Sequence, residues 1–131
     1  MTDFPIPVTA WSTIILAALF QWLTFRVIGV RRKDHILLGD GGDHVMNKKI
    51  RGQANAAEQI PIALILLGLA EYLLPGLMPM IIAVLLIVGR VMHGVYFTIH
   101  GTNFRLRYYG MLLTLIAQSL AIITVAAGLL L

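Results

Sequence analysis

Long apolar stretches separated by short polar ones dominate the chain. Four of them exceed the ~20 residues of helix needed to cross a hydrocarbon core of about 30 Å. They run from about Val8 to Val30, Lys48 to Leu74, Leu77 to Ile99 and Arg107 to Leu131. The alternating pattern of barrel strands is absent. Backbone groups within a bilayer must be satisfied inside their own segment, so all four stretches are predicted to be helices. The expected architecture is an all-α integral membrane protein, a four-transmembrane-helix bundle forming one domain over residues 1–131. Pro75, Gly76 and Pro79 break the apolar sequence between the second and third stretches and predict a tight turn with an antiparallel helix pair. The first connection, Arg31 to about Asn47, contains LGDGGDH, a turn-rich segment without the lysine and serine or threonine of a phosphate-binding P-loop. The third, His100 to Leu106, is short and polar.

Composition agrees with the pattern. Of 131 residues 59% are hydrophobic and only 12% charged, more apolar surface than a soluble domain of this size could bury. Charge placement adds orientation. Arg31, Arg32, Lys33, Lys48, Lys49, Arg51, Arg105 and Arg107 lie in or beside the first and third connections, with Arg26 just inside, whereas the second turn and both termini carry no basic residue. The positive-inside rule then puts those two connections in the cytoplasm and both termini on the non-cytoplasmic side. The net charge of +4 is on this reading a topology signal, with attraction to membrane lipids secondary. It predicts no nucleic-acid partner, because no basic patch is interleaved with exposed aromatics on a soluble face. The first stretch lacks the flanks of a cleaved secretory signal and is expected to stay in the mature protein.

Polar residues inside the apolar stretches are the candidates for function, since each ionisable group there costs at least ~2.5–3.5 kcal/mol to insert. Arg51, Asn55 and Glu58 fall at i, i+4 and i+7, within roughly 60° on a helix, while Gln53 points elsewhere. Glu58 lies some 15 Å, and Arg90 roughly 14 Å, from the cytoplasmic ends of their helices at the rise of an α-helix. The two are therefore expected to meet as an ion pair between helices two and three. Such a pair could serve packing alone or belong to a site. Arg90, His93, Phe97 and His100 share one face of helix three and extend the polar stripe. Interfacial snorkelling would account for Arg26 and Arg32. The cytoplasmic half still holds surplus positive charge around Asn55 and Glu58, which suits an anion that bears carboxylates for arginine and an amine for Glu58. The four histidines show no metal-helix spacing, so no metal site is expected. Trp11, Trp22, Tyr108 and Tyr109 read as interfacial or packing aromatics.

The arrangement Arg51, Asn55, Glu58 and Pro61, followed by VGRVMH at Val88 to His93 and an arginine opening helix four, resembles the MAPEG family. These are membrane-associated proteins in eicosanoid and glutathione metabolism, among them microsomal glutathione transferases, leukotriene C4 synthase and microsomal prostaglandin E synthase. The resemblance covers nearly the whole chain, and the GDGG loop is most similar to bacterial members. It implies a homotrimer with glutathione as co-substrate between subunits near the cytoplasmic side, here of a bacterial inner membrane.

Carried over by position, the resemblance implies glutathione contacts from Arg51, Gln53, Asn55 and Glu58 on helix two, Arg90 and His93 on helix three, and Arg31 at the end of helix one. The arginine credited with stabilising the thiolate opens helix four, which selects Arg107 with Arg105 as its rival. Phe97 stands where some members have a glutathione-contacting tyrosine, and Tyr108 follows Arg107 where the prostaglandin synthase has serine. The chain has no cysteine, so thiol chemistry must come from a bound small molecule. An arginine in a partly dry site favours the thiolate of a thiol that otherwise titrates near ~8.5. The expected activity is attack of that thiolate on a lipophilic small-molecule substrate entering from the bilayer, or reduction of a lipid hydroperoxide. Two alternatives stand beside it: a small four-helix multidrug-type transporter using Glu58, and a non-catalytic membrane protein whose polar residues specify packing.

Overall fold

The computed structural model describes residues 4–131. Four helices follow one another, α1 Pro7–Asp34, α2 His44–Leu73, α3 Leu77–Thr98 and α4 Phe104–Leu130, and each is long and apolar enough to cross a membrane. The chain is a multi-pass membrane protein with an all-α four-helix bundle. Three helix ends lie farther toward the basic connections than hydropathy indicates. α1 continues past Val30 to Asp34, α2 begins at His44 instead of Lys48, and α4 begins at Phe104 instead of Arg107. Hydropathy ends where the hydrocarbon ends, whereas the hydrogen-bond ladder continues into the interface until a capping residue stops it. Asp43 and Asn103 are those caps: Asp43 accepts from the Met46 N–H at 2.9 Å and Asn103 from the Arg105 N–H at 2.9 Å. α3 ends at Thr98, which leaves His100 exposed in the following turn and off the helical face it was expected to share.

α2 and α3 form the centre, with α1 against both, α4 against both, and no α1–α4 contact among the described residues. Leu16, Leu23, Leu67, Ile82 and Leu86 fill the interior, with Ala56, Ala63, Ala117 and Ala121 where helices approach. The tightest crossing joins α3 and α4. A methyl group added to Gly110 would lie 2.7 Å from both the Gly89 carbonyl oxygen and the His93 nitrogen, so the two backbones touch and no side chain fits between them. Gly52 of α2 likewise leaves room for the Phe97 ring of α3.

Polar contacts fix the helix directions. At one end Glu71, near the C-terminus of α2 and 4% exposed, reaches the start of α1. One carboxylate oxygen accepts from the Val8 N–H at 2.8 Å, and the other from the Thr9 N–H and hydroxyl at 2.7 Å each. The first turn of a helix presents unsatisfied N–H groups and a partial positive charge, so a carboxylate is well matched there. At the opposite end Arg26 of α1 donates to the Thr98 carbonyl of α3 at 3.3 Å, and the Lys48 ammonium of α2 stands 4.1 Å from the centre of the Tyr96 ring. The helices therefore alternate in direction, and the C-terminus of α1, the N-terminus of α2, the C-terminus of α3 and the N-terminus of α4 gather at one basic end.

The connection between α1 and α2 is a set of tight turns at that end. Gly39, Gly41 and Gly42 take positive φ, which L side chains rarely adopt. Asp40 accepts from the Gly42 N–H at 3.0 Å and from Asn47 at 2.8 Å, and these bonds, the Gly42 one foremost, hold its carboxyl below the usual carboxylate range. The aspartates of LGDGGDH are thus spent on the turn itself and on the α2 cap.

Candidate functional site

Arg90 sits in α3 roughly two turns from the basic end and is 2% exposed. Burial of a guanidinium requires acceptors on most of its donors. They come from two other helices. Nη1 donates to Asn55 Oδ1 of α2 at 2.8 Å, Nε to Thr114 Oγ1 of α4 at 2.9 Å, and Nη2 lies 3.6 Å from Met111 Sδ. The Thr114 hydroxyl in turn donates to the Gly110 carbonyl at 2.9 Å, which extends the network into the α4 backbone.

The expected Glu58–Arg90 ion pair is not formed. The equal depth of the two groups is compatible with pairing, but direction is not: Asn55, almost one turn earlier, points into the bundle, while Glu58 is exposed on its outer side. A neutral amide therefore takes the guanidinium, and the charge of Arg90 is left uncompensated.

Beside this cluster a cavity of about 410 Å³ opens between α2, α3 and α4, lined by Asn55, His93, Arg107, Tyr108 and the side chains of Phe104, Met111, Leu112 and Leu115. No carboxylate is among its lining residues. Asn55 and His93 make a polar wall on α2 and α3; α4 contributes Arg107 and Tyr108 at its first turns and the apolar Met111, Leu112 and Leu115 beyond them. The size lies in the ~300–1,000 Å³ range of small-molecule sites. Arg107 enters from the first turn of α4 and is held by aromatics, its guanidinium 5.5 Å from the Phe97 ring centre and 5.8 Å from that of Phe104. His93 is buried, with its ring 4.8 Å from Phe97. Phe97 lacks a hydroxyl, yet its ring supports both His93 and Arg107.

Of the residues singled out from sequence, the fold brings Asn55, Arg90, His93 and Arg107 together. Arg105 is exposed and outside the cavity lining. Arg51 and Glu58 are exposed on α2, and Gln53 turns toward α1, where it donates to the Thr24 hydroxyl at 3.4 Å. Arg31 clamps the first connection, donating to the carbonyls of Ile36, Leu37 and Gly39 at 3.1–3.4 Å. Among the described residues, no three histidine or carboxylate side chains are grouped as metal ligands. Thr114 and Met111 escaped the sequence reading, as did the part Tyr108 takes in the cavity wall. The i, i+4 and i+7 spacing of Arg107, Met111 and Thr114 on helix four, with Tyr108 three residues before Met111, was the available signal.

The cavity thus combines Arg107, with Arg90 behind Asn55, and an apolar surface, at one end of a four-helix membrane bundle. The chain is 34% identical over 119 residues to Inner membrane protein YecN of Escherichia coli strain K12, an alignment covering 88% of each protein. YecN of E. coli O6:H1 matches to the same extent. The family model that matches, over residues 9–127, spans all four helices and every residue lining the cavity. By that match the chain belongs to the MAPEG family.

Proposed function

We propose that the protein is a glutathione-dependent membrane transferase or peroxidase, acting as a homotrimer in a bacterial inner membrane with its site toward the cytoplasm. The observation that carries this reading is the carboxylate-free cavity in which Arg107, His93 and Asn55 face an apolar wall beside the uncompensated charge of Arg90. Glutathione carries two carboxylates, one ammonium group and a thiol, and its net negative charge suits this excess of cations. A cation exporter would need a carboxylate in its path; here Glu58 lies on the outer side of the bundle.

The residues divide the work by chemistry. Arg107 sits where α4 begins, and its guanidinium, braced by Phe97 and Phe104, holds the thiol as thiolate, the reactive nucleophile. Arg105 points elsewhere and takes no part within the same subunit. Asn55 keeps its amide at the cavity wall because Arg90 fixes it, which presents the remaining amide donors to the ligand's peptide groups. Arg51 and Glu58, both exposed on α2 outside the cavity lining, take a carboxylate and the ammonium group where the ligand extends beyond the cavity toward a neighbouring copy. Gln53 and Arg31 join from the α1 side of a neighbouring copy in the trimer. The apolar surface of Leu112 and Leu115 admits a lipophilic electrophile or lipid hydroperoxide from the bilayer.

Calorimetric titration of glutathione into detergent-purified protein tests this reading. Wild type is expected to bind, and Arg51→Ala to bind at least ~10-fold more weakly, the loss typical of one charge-assisted contact. Arg107→Ala should retain most of the affinity and lose turnover with lipophilic electrophiles. Wild-type protein that keeps its helical fold and takes up no glutathione overturns the proposal.

A further inference from the structure

A second pocket, of about 200 Å³, lies at the basic end between α1, the first turns of α2 and the end of α3. It is separate from the cavity above. Phe97 lines it, and the same ring carries Arg107 on the cavity side. Five basic side chains line it, Arg26, His44, Lys48, Lys49 and His100, with no carboxylate among the lining residues. Its volume is below the ~300 Å³ at which pockets for drug-sized ligands begin, which suits a small ion better than a tripeptide.

Lys49 is the decisive residue. It is 9% exposed, and among the described residues none accepts a hydrogen bond from its ammonium group. Among the described residues, every side-chain nitrogen or oxygen fully sealed from solvent does have a partner. The Lys49 ammonium is therefore not sealed in protein but directed into an opening; Lys49 lines this pocket and also, with Arg26 and Lys33, a neighbouring one of about 340 Å³ on the α1 side. A lysine buried to this extent without a counter-charge is costly, and packing it near Arg26 and Lys48 adds like-charge repulsion. Arg26 spends a single weak bond, to the Thr98 carbonyl, and keeps its other donors for a ligand. Lys48 is oriented by the Tyr96 ring. The pocket also sits where the helices end, at the depth of lipid headgroups.

We propose that this pocket binds a phosphate-type oxyanion, carried by an anionic phospholipid headgroup or free in solution. The ligand supplies the counter-charge that Lys49, Lys48 and Arg26 lack and ties the ends of α1, α2 and α3 together.

Two sources of phosphate are separated by two measurements on the purified full-length protein. Native mass spectrometry after release from nanodiscs of mixed phosphatidylglycerol and phosphatidylcholine counts the lipid retained. Calorimetry in pure phosphatidylcholine nanodiscs measures inorganic phosphate. Preferential retention of phosphatidylglycerol identifies the lipid source, and phosphate binding in phosphatidylcholine identifies the free ion; either supports the site. Lys49→Met and Arg26→Gln should each weaken whichever binding is seen by at least ~5-fold, the equivalent of about 1 kcal/mol per basic residue at an anionic surface. Arg32→Gln, the same change of charge outside the pocket, should leave it unchanged. If Lys49→Met does not fold, the exposed Arg26→Gln decides. The proposal is overturned if wild type shows neither lipid preference nor phosphate binding. It is overturned equally if both pocket variants bind as wild type does, or if Arg32→Gln loses as much as they do.

Discussion

At the far end of the bundle Glu71 is enclosed by three donors of α1, two of them backbone N–H groups that the helix start leaves unsatisfied, so the buried carboxylate is fully matched within the fold. Nearer the basic end Arg90 is as deeply buried, but its partners are an amide, a hydroxyl and a thioether, and none cancels its charge. Both groups bridge helices distant in sequence. Glu71 uses its charge to dock α1, whereas Arg90 leaves its field available to a cavity that Arg107 and His93 also face. Buried charge in this bundle thus divides into charge matched by the fold and charge the fold leaves without a counter-charge, and the partner atoms distinguish the two.

The largest effect on stability is expected at the matched end. Glu71→Leu strands the Val8 and Thr9 donors and should lower unfolding stability in detergent by about 3 kcal/mol, the scale of losing charge-assisted bonds to a buried group. Glu71→Gln, which keeps an acceptor, should lie between that variant and wild type. Thermal unfolding followed by circular dichroism measures both. A Glu71→Leu protein as stable as wild type would show that this carboxylate does not dock α1.

Arg90→Met should do the opposite. Replacing a buried charge by a hydrophobic side chain of similar length is often neutral or stabilising, so its midpoint should stay within about 1 kcal/mol of wild type in equivalent free energy. Thr114 keeps its bond to Gly110, and Asn55 can turn to water in the cavity. Glutathione affinity should fall nonetheless, because the positive field at Asn55 is lost. Collapse of the fold in Arg90→Met would instead make Arg90 a structural strut like Glu71.

The helix count, their alternation and the basic end were legible in hydropathy and charge, because the bilayer acts directly on composition. The helix ends were less so. Asp43 and Asn103 are capping residues of the usual types, but a hydropathy threshold passes over them. Glu71 could have been noticed by the reasoning applied to Glu58, a lone carboxylate in an apolar run. Its partners Val8 and Thr9 lie more than sixty positions away and no local pattern points to them. The Glu58–Arg90 pairing failed for a related reason: depth along a helix can be counted, whereas the rotation of α2 against α3 depends on packing such as the Gly52–Phe97 contact. Asn55, Arg90 and His93 share a cluster with Arg107 because α4 is pressed against α3 there.

Titration of the thiol of protein-bound glutathione, followed by thiolate absorbance in the ultraviolet, is the most direct test of the claim that the surplus charge at the basic end serves chemistry. Wild type should hold the bound thiol's pKa below the ~8.5 of a free thiol, and Arg107→Ala should return it toward that value with glutathione still bound. A bound thiol that titrates as it does in water, or one unmoved by Arg107→Ala, would contradict it.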